Sequence, residues 1–389
     1  MKKILAMAAL ATILAATGCG QQNPQPSEGS EVGFALSFFQ KTNSTVSYDE
    51  NLVVSPYSAG VALSMLAEGA DGQTRAELDD ALNGCIFKAE ERGSNDSIVV
   101  KSANSLWVGD NFSIKNKYVS LLENDYDAFV TTQNFLDPAT VQAINNWCSE
   151  NTEGKIKGIV DRLGSNDVMI LVNALYFNAP WQKGFDAEST RKGIFHGLKG
   201  DVQVDLMAQR NKLRYAQYQG CQMVELPYAG GRYSMYVVLP PEGMDINSMI
   251  PYISETAFDA AMGMLDQREV ILTMPKFKLE TSIVLNEALQ DMGVETAFTG
   301  AADFKGIAAT GNLALEQVKQ KCYIDVTEEG TEAAAVTSVQ VRLTSVDRNP
   351  VARMTVDRPY IFFIQDSQSG NILFTGKLFK VRETCHKVI

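Results

Sequence analysis

EEGTEAAAVTSVQVRLTS, residues 328–345, is the stretch that decides the fold. Gly330 opens it, and from Thr331 to Asn349 there is no glycine, proline or aromatic residue. Counted by twos, Thr331, Ala333, Ala335, Thr337, Val339, Val341 and Leu343 form one set. Glu332, Ala334, Val336, Ser338, Gln340 and Arg342 form the other. An extended chain sends the two sets to opposite faces. One set is small to apolar and the other carries the charge, the pattern of a strand with one buried face. Its first half offers alanine and threonine where a core strand carries valine, isoleucine or phenylalanine. Such thin side chains suit a strand that slides between two neighbours already in place.

The flanks are rich in strand signals. Residues 313–327 read as a long strand before the stretch, and 351–356, 360–365 and 372–378 as strands after it. Further back, 168–177 (VMILVNALYF) is nearly continuous apolar sequence, as expected of a strand covered on both faces. Two amides interrupt this apolar setting. Asn173 shares a face with Met169, Leu171, Leu175 and Phe177, and Gln320 shares one with Val318, Cys322, Ile324 and Val326. A buried amide without partners costs about 1–3 kcal/mol, so each must meet others. Between these runs, 202–207, 213–218, 223–226, 233–239 and 270–279 read as strands.

The N-terminal half is mostly helical. Helices are expected at 32–40, 59–68, 72–82, 116–124 and 138–150, with strands at 51–54 and 98–108. Ser55 or Ser58 is placed to cap the helix at 59–68, which Gly69 ends. Thr74 and Glu77 have the spacing of a capping box. Later helices are expected at 246–265, with interruptions, and at 283–292 before Gly293. No repeat and no Pro/Ser linker divides the chain after residue 32, so the expectation is one mixed domain over 32–382, with 383–389 as a tail.

Residues 1–18 read as a signal segment: Lys2 and Lys3, then an apolar run over 4–16 too short to span a bilayer. Ala16-Thr17-Gly18-Cys19 resembles a bacterial lipobox with alanine where leucine is usual, which makes Cys19 the candidate lipidated N-terminus. Residues 19–31 then form a polar tether. The expected location is a bacterial envelope, on the outer membrane or cell surface, with a periplasmic or secreted protein as the alternative.

The formal net charge is −12 for all 389 residues, and becomes −14 once Lys2 and Lys3 are removed. That balance argues against nucleic acid and against any membrane contact beyond the lipid. Apart from Cys19, Cys85, Cys148, Cys221, Cys322 and Cys385 are scattered without paired spacing, so stability must come from a large core. His196 and His386 are the only histidines, and no G-x-S-x-G, H-E-x-x-H, C-x-x-C or P-loop occurs. No enzyme, metal site or cofactor is expected.

Several phrases together resemble the serpin family across about 32–381. They are Asn51-Leu-Val-Val-Ser-Pro-Tyr-Ser58, Val172-Asn-Ala-Leu-Tyr-Phe-Asn178 with Trp181 and Phe185, and Met274-Pro-Lys-Phe277. Asp303-Phe-Lys-Gly306, Glu328-Glu-Gly-Thr-Glu-Ala-Ala-Ala335, Asp357-Arg-Pro-Tyr-Ile-Phe362 and Phe374-Thr-Gly-Lys377 complete the set. The resemblance implies an α+β fold of three β-sheets and about eight or nine helices with an exposed reactive-centre loop. It also implies a monomer acting as a suicide substrate for a serine or, alternatively, a cysteine protease. The protease cuts the loop, and the freed segment inserts into the main sheet while the acyl-enzyme is dragged along. Such strand addition and stored strain have this family as their standing example. About a dozen residues gaining ladder bonds at roughly 1 kcal/mol each would set a driving force on the order of 10 kcal/mol.

Carried over residue by residue, the hinge is Glu328, Gly330, Thr331, Glu332, Ala333, Ala334, Ala335, Val336 and Thr337. Ser55, Ser58, Asn173 and Gln320 match the polar cluster beneath the sheet, with glutamine where the family usually has histidine. Trp181 matches the point where insertion begins, and Lys276 with Glu328 a salt bridge at the loop's base. Family spacing puts the scissile bond between Thr344 and Ser345, with Arg342, Leu343 and Arg348 as alternatives. Threonine before the cut favours an elastase-like target, and Arg342 a trypsin-like one. The alternative function is a non-inhibitory surface protein using the same fold for binding or adhesion.

Overall fold

The computed structural model describes residues 29–89, 98–164, 167–308, 313–331 and 350–381. Cys19 and the targeting segment lie outside the described residues, as do Glu332, Ala333, Ala334, Ala335, Val336 and Thr337 of the hinge. So do the candidate scissile residues Arg342, Leu343, Thr344, Ser345 and Arg348, and the tail 383–389.

Helix α1 (Glu31–Thr45) starts on a Ser30 cap, whose hydroxyl accepts from the Gly33 amide. It runs past the expected stop because Ser44 and Thr45 return their hydroxyls to the Lys41 and Thr42 carbonyls, satisfying the last turn. Strand β1 (Leu52–Val54) leads into α2 (Pro56–Glu68). Ser55 is the cap, accepting from the Ser58 amide, and Pro56 occupies the first turn, so α2 begins three residues earlier than expected. Every residue from Pro56 to Ala67 is buried, which puts this helix inside the molecule rather than on it.

Helix α3 (Gly72–Ala81) has Asp71 as its N-terminal neighbour, and no side chain caps it. The Thr74/Glu77 pair is therefore not a capping box. Thr74 accepts from the Asp303 amide, and the Glu77 carboxylate takes the Glu295 and Thr296 amides and the Thr296 hydroxyl. Both side chains cap a neighbouring loop because the helix starts too early for them to reach its own end.

Strand β2 (Val99–Gly109), α4 (Asn116–Tyr126), β3 (Ala128–Gln133) and α5 (Pro138–Glu150) follow. The short β3 was not expected; Asp127 alone, at φ 46°, turns the chain from α4 into it. Strand β4 (Met169–Pro180) continues three residues beyond the apolar run. After β5 (Arg191–Gly197), also unexpected, comes β6 (Gly200–Tyr218), a single strand of 19 residues where two were expected. Its polar middle, Gln209 to Lys212, stays extended because it is paired throughout with β9 (Asp266–Pro275). Between them lie β7 (Cys221–Pro227), β8 (Tyr233–Leu239), α6 (Ile246–Met249) and α7 (Glu255–Gly263).

The expected strand over 270–279 is two strands. The chain leaves β9 at Lys276 and enters β10 (Phe277–Val284), which pairs in a different sheet. Helix α8 is confined to Asn286–Gln290, and β11 (Gln317–Val326), β12 (Gly330–Thr331), β13 (Ala352–Thr355), β14 (Tyr360–Asp366) and β15 (Ile372–Leu378) complete the order.

Among the described residues this gives eight α-helices and two hydrogen-bonded sheet systems. One is six-stranded, in the order β10–β11–β12–β4–β2–β3. The other runs β1–β15–β14–β8–β7–β6–β9–β13, with β5 also on β6. The long β6 pairs with β5 and β9 along its first part and with β7 only at Tyr215–Tyr218. It therefore belongs to two sheets in turn, and the three-sheet α+β architecture follows. Strand β4 is covered on both sides, as its sequence requires: Leu171, Leu175 and Phe177 face the main core, and Ile170, Val172 and Ala174 face a smaller core with Ile144 and Cys148 of α5.

Candidate functional site

The two central strands of the six-stranded sheet meet in two different ways. Lower down, β11 pairs directly with β4 in parallel, from Gln317 opposite Ile170 to Cys322 opposite Leu175. Higher up, β12 stands between them: Val326 lies opposite Thr331, Thr331 opposite Ala179, and Gly330 opposite Pro180. Gly330 and Thr331 thus already occupy the mouth of a gap that is closed below.

Gly330 is required there by close approach. A Cβ on it would lie 2.3 Å from the Ala179 carbonyl oxygen and 2.6 Å from the Pro180 Cα, and its φ is +157°. The Thr327 amide donates to the Gly330 carbonyl at 2.9 Å, closing a tight turn that carries Glu328 and Glu329. The chain after β4 holds this turn from the other side. The Trp181 amide donates to the Glu329 carbonyl at 2.9 Å, the Phe185 amide to the Glu328 carbonyl at 2.8 Å, and Trp181 Nε1 to the Thr327 carbonyl at 3.0 Å. Glu328 is buried, with one carboxylate oxygen 3.0 Å from Lys276 Nζ and the other accepting from Thr190 Oγ1 at 2.7 Å. Burial alone would raise its pKa, but the Thr190 hydroxyl, the backbone and the Lys276 ammonium hold it below the ordinary carboxylate value.

The polar cluster lies beneath the closed part. Gln320 grips the Ser55 peptide with both ends of its amide: its oxygen accepts from the Ser55 amide and its nitrogen donates to the Ser55 carbonyl, each at 2.9 Å. The Ser58 hydroxyl donates to Asn173 Oδ1, and Asn173 Nδ2 donates to Asn104 Oδ1 at 2.6 Å. Asn104 and Gln320 both stand directly opposite Asn173, on β2 and β11. Three amides therefore form a row across three strands, and helix α2 and its Ser55 cap are bonded to two of them. All of these side chains are at most 2% exposed.

This combination of a wedged sheet over a polar row agrees with the whole-chain comparison, in which the model of the family described as serpin (serine protease inhibitor) matches residues 30–381. The chain belongs to the serpin family. An uncharacterised serpin-like protein of Thermococcus kodakarensis is 33% identical over 350 residues, covering 86% of this chain and 82% of the relative. Iripin-3 of Ixodes ricinus is 32% identical over 349 residues, covering 85% and 88%. Among solved structures, the thermophilic serpin tengpin in its native state has a TM-score of 0.84 at 29% identity, covering 96% of this chain and 99% of that one. Serpins in general inhibit proteases rather than catalyse a reaction.

In this serpin Ser55, Ser58, Asn173 and Gln320 come together, and so do Trp181, Lys276, Glu328, Gly330 and Thr331. Sequence reading missed three neighbours. Asn104 could have been found, because it interrupts an expected strand just as Asn173 does. Thr190 and Tyr228 had no signal: both lie outside the expected strands, and only the fold brings them to Glu328 and to Thr331. Among the described residues no cluster of histidine, cysteine or acidic side chains could hold a metal ion, and no helix is long and apolar enough to cross a membrane.

Proposed function

We propose that this serpin is a suicide-substrate inhibitor of an elastase-like serine protease, cut between Thr344 and Ser345. The observation that supports it most is the placement of Gly330 and Thr331 as a strand between β4 and β11, above a stretch where those two strands pair directly. Continuing that strand downward means parting β4 from β11, and the next inward-facing positions, Ala333, Ala335 and Thr337, bring no charge and little bulk to obstruct it. A Leu343, Arg342 or Arg348 cut is the variant reading of the register, and Arg342 would direct the inhibitor to a trypsin-like enzyme. Lipidation at Cys19 would hold the inhibitor at a bacterial envelope as a monomer.

The test is incubation of the full chain with elastase-like and trypsin-like proteases. The expected products are a denaturant-resistant complex with the first class and a released fragment beginning at Ser345, read by mass spectrometry. The cleaved protein is expected to melt well above the intact one. Clean cleavage with no complex and no gain in melting temperature would favour a binding or adhesion role instead.

A further inference from the structure

The described residues of strand β12 are Gly330 and Thr331, and Gly330 has no side chain with which to hold it. Thr331 has one polar side-chain atom and is fully buried, with its Oγ1 2.7 Å from the Tyr228 phenol oxygen. Tyr228 is itself fully buried and cannot swing away. Its ring stacks on Trp181 at 4.5 Å and 14°, its edge meets Phe177 at 5.0 Å, and its amide donates to the Tyr233 carbonyl. Burial drives the phenol pKa well above its ordinary value, so it stays a neutral hydroxyl. Among the described residues the hydroxyls of Thr331 and Tyr228 serve one another.

We propose that Tyr228 is a positioning residue that sets how far the hinge is inserted before any protease arrives, by holding Thr331 as the first rung between β4 and β11. The proposal rests on the inhibitor reading for its consequence in trapping, but not for the seating of the hinge itself. Losing one member of a buried hydroxyl pair strands the other in a dry site, which favours the hinge leaving. Replacing both with apolar groups of the same shape removes that penalty. Tyr228→Phe and Thr331→Val should therefore each loosen the hinge, and the double variant should hold it again. Thr331→Ser keeps the hydroxyl and should behave as the parent.

The experiment is amide hydrogen exchange on the full chain without protease, followed at Trp181, Phe185 and Thr327, whose amides donate to carbonyls of the turn and of Gly330. Each single variant is expected to exchange at least about fivefold faster at these amides. The double variant is expected within about twofold of the parent. Parent-like exchange in both single variants, or a double variant as fast as the singles, would overturn the proposal. Should Tyr228→Phe fold poorly, Thr331→Val and Thr331→Ser make the same test from the hinge side. A second measurement uses the trapped protease. A freed hinge should associate faster yet start insertion later, so more inhibitor is cut per enzyme captured; unchanged association and unchanged consumption would refute the link to trapping. If no variant nor the parent traps any enzyme, the inhibitor reading has failed, while the exchange results still decide the role of Tyr228.

Discussion

The same two strands, β4 and β11, are held by opposite means at their two ends. At the mouth, they are bridged by a third piece of backbone, and the contacts are ladder bonds of a kind that can be repeated residue by residue. At the floor they are paired directly by a parallel ladder, and side-chain amides bonded to the buried helix α2 and its Ser55 cap hold them further. On the inhibitor reading, growth of the sheet would meet low resistance at the first place and high resistance at the second. On that reading, a sheet built this way would open from the mouth downward, and the amide row would set the point at which opening becomes costly.

The largest expected effect comes from spoiling the mouth. Thr331→Arg puts a charge at a fully buried site between two strands. It should turn the protein into a plain substrate, with at least a tenfold loss of denaturant-resistant complex on a gel. A mutant that still traps its protease normally would remove the distinction between mouth and floor. Gly330→Val should follow, since even a Cβ meets backbone at 2.3 Å. Overpacking of this kind costs about 1–3 kcal/mol, and chemical denaturation would report it. Gln320→Leu attacks the floor: it takes the partner from the Ser55 amide in a dry site and leaves the Ser55 carbonyl with the Ala59 amide. About 1–2 kcal/mol of stability should go, together with easier parting of β4 and β11 seen as faster exchange in the floor strands.

The smallest effect belongs to Glu328. Its carboxyl pKa is depressed in the fold, so the associated stability is present above the ordinary value of 4.5 and is lost as pH falls through the lowered one. Thermal melting from pH 6 down to pH 3 should show this loss. Lys276→Ala should flatten the profile without abolishing it, because the Thr190 hydroxyl remains. A profile unchanged by Lys276→Ala would mean that the ammonium, itself half in solvent, contributes nothing.

Much of this was legible in the sequence because period and punctuation are local. The bounds of α5, β8 and β15 follow directly from their patterns, and the apolar run of β4 announced that both of its faces are covered. What was hidden is non-local. Nothing near residues 209–212 says that a polar segment will stay extended; β9 does that. The capping-box spacing at Thr74 and Glu77 was real, but the helix start and a loop more than two hundred residues away decided its use. The amides Asn173 and Gln320 stood out by their apolar company, which is a sequence property. Their meeting, with Asn104 as third member, is a matter of register between strands and could only be inferred through a resemblance.

One consequence follows from where the segment is moored. Thr331 is stitched into one sheet and Ala352 into another, with residues 332–351 between them. Strand β13 runs alongside β9, which leads through Lys276 into Phe277, and Phe277 faces Val326 at the mouth. The part of β13 nearest the mouth is Thr355, opposite Thr273, while Ala352 enters the strand further back, opposite Val270. A rope tied at both ends can be lowered only as a doubled bight. On the inhibitor reading, severing it near one mooring would let the other part hang at full reach, a depth the uncut chain could gain only by giving up the four-residue pairing of β13 with β9.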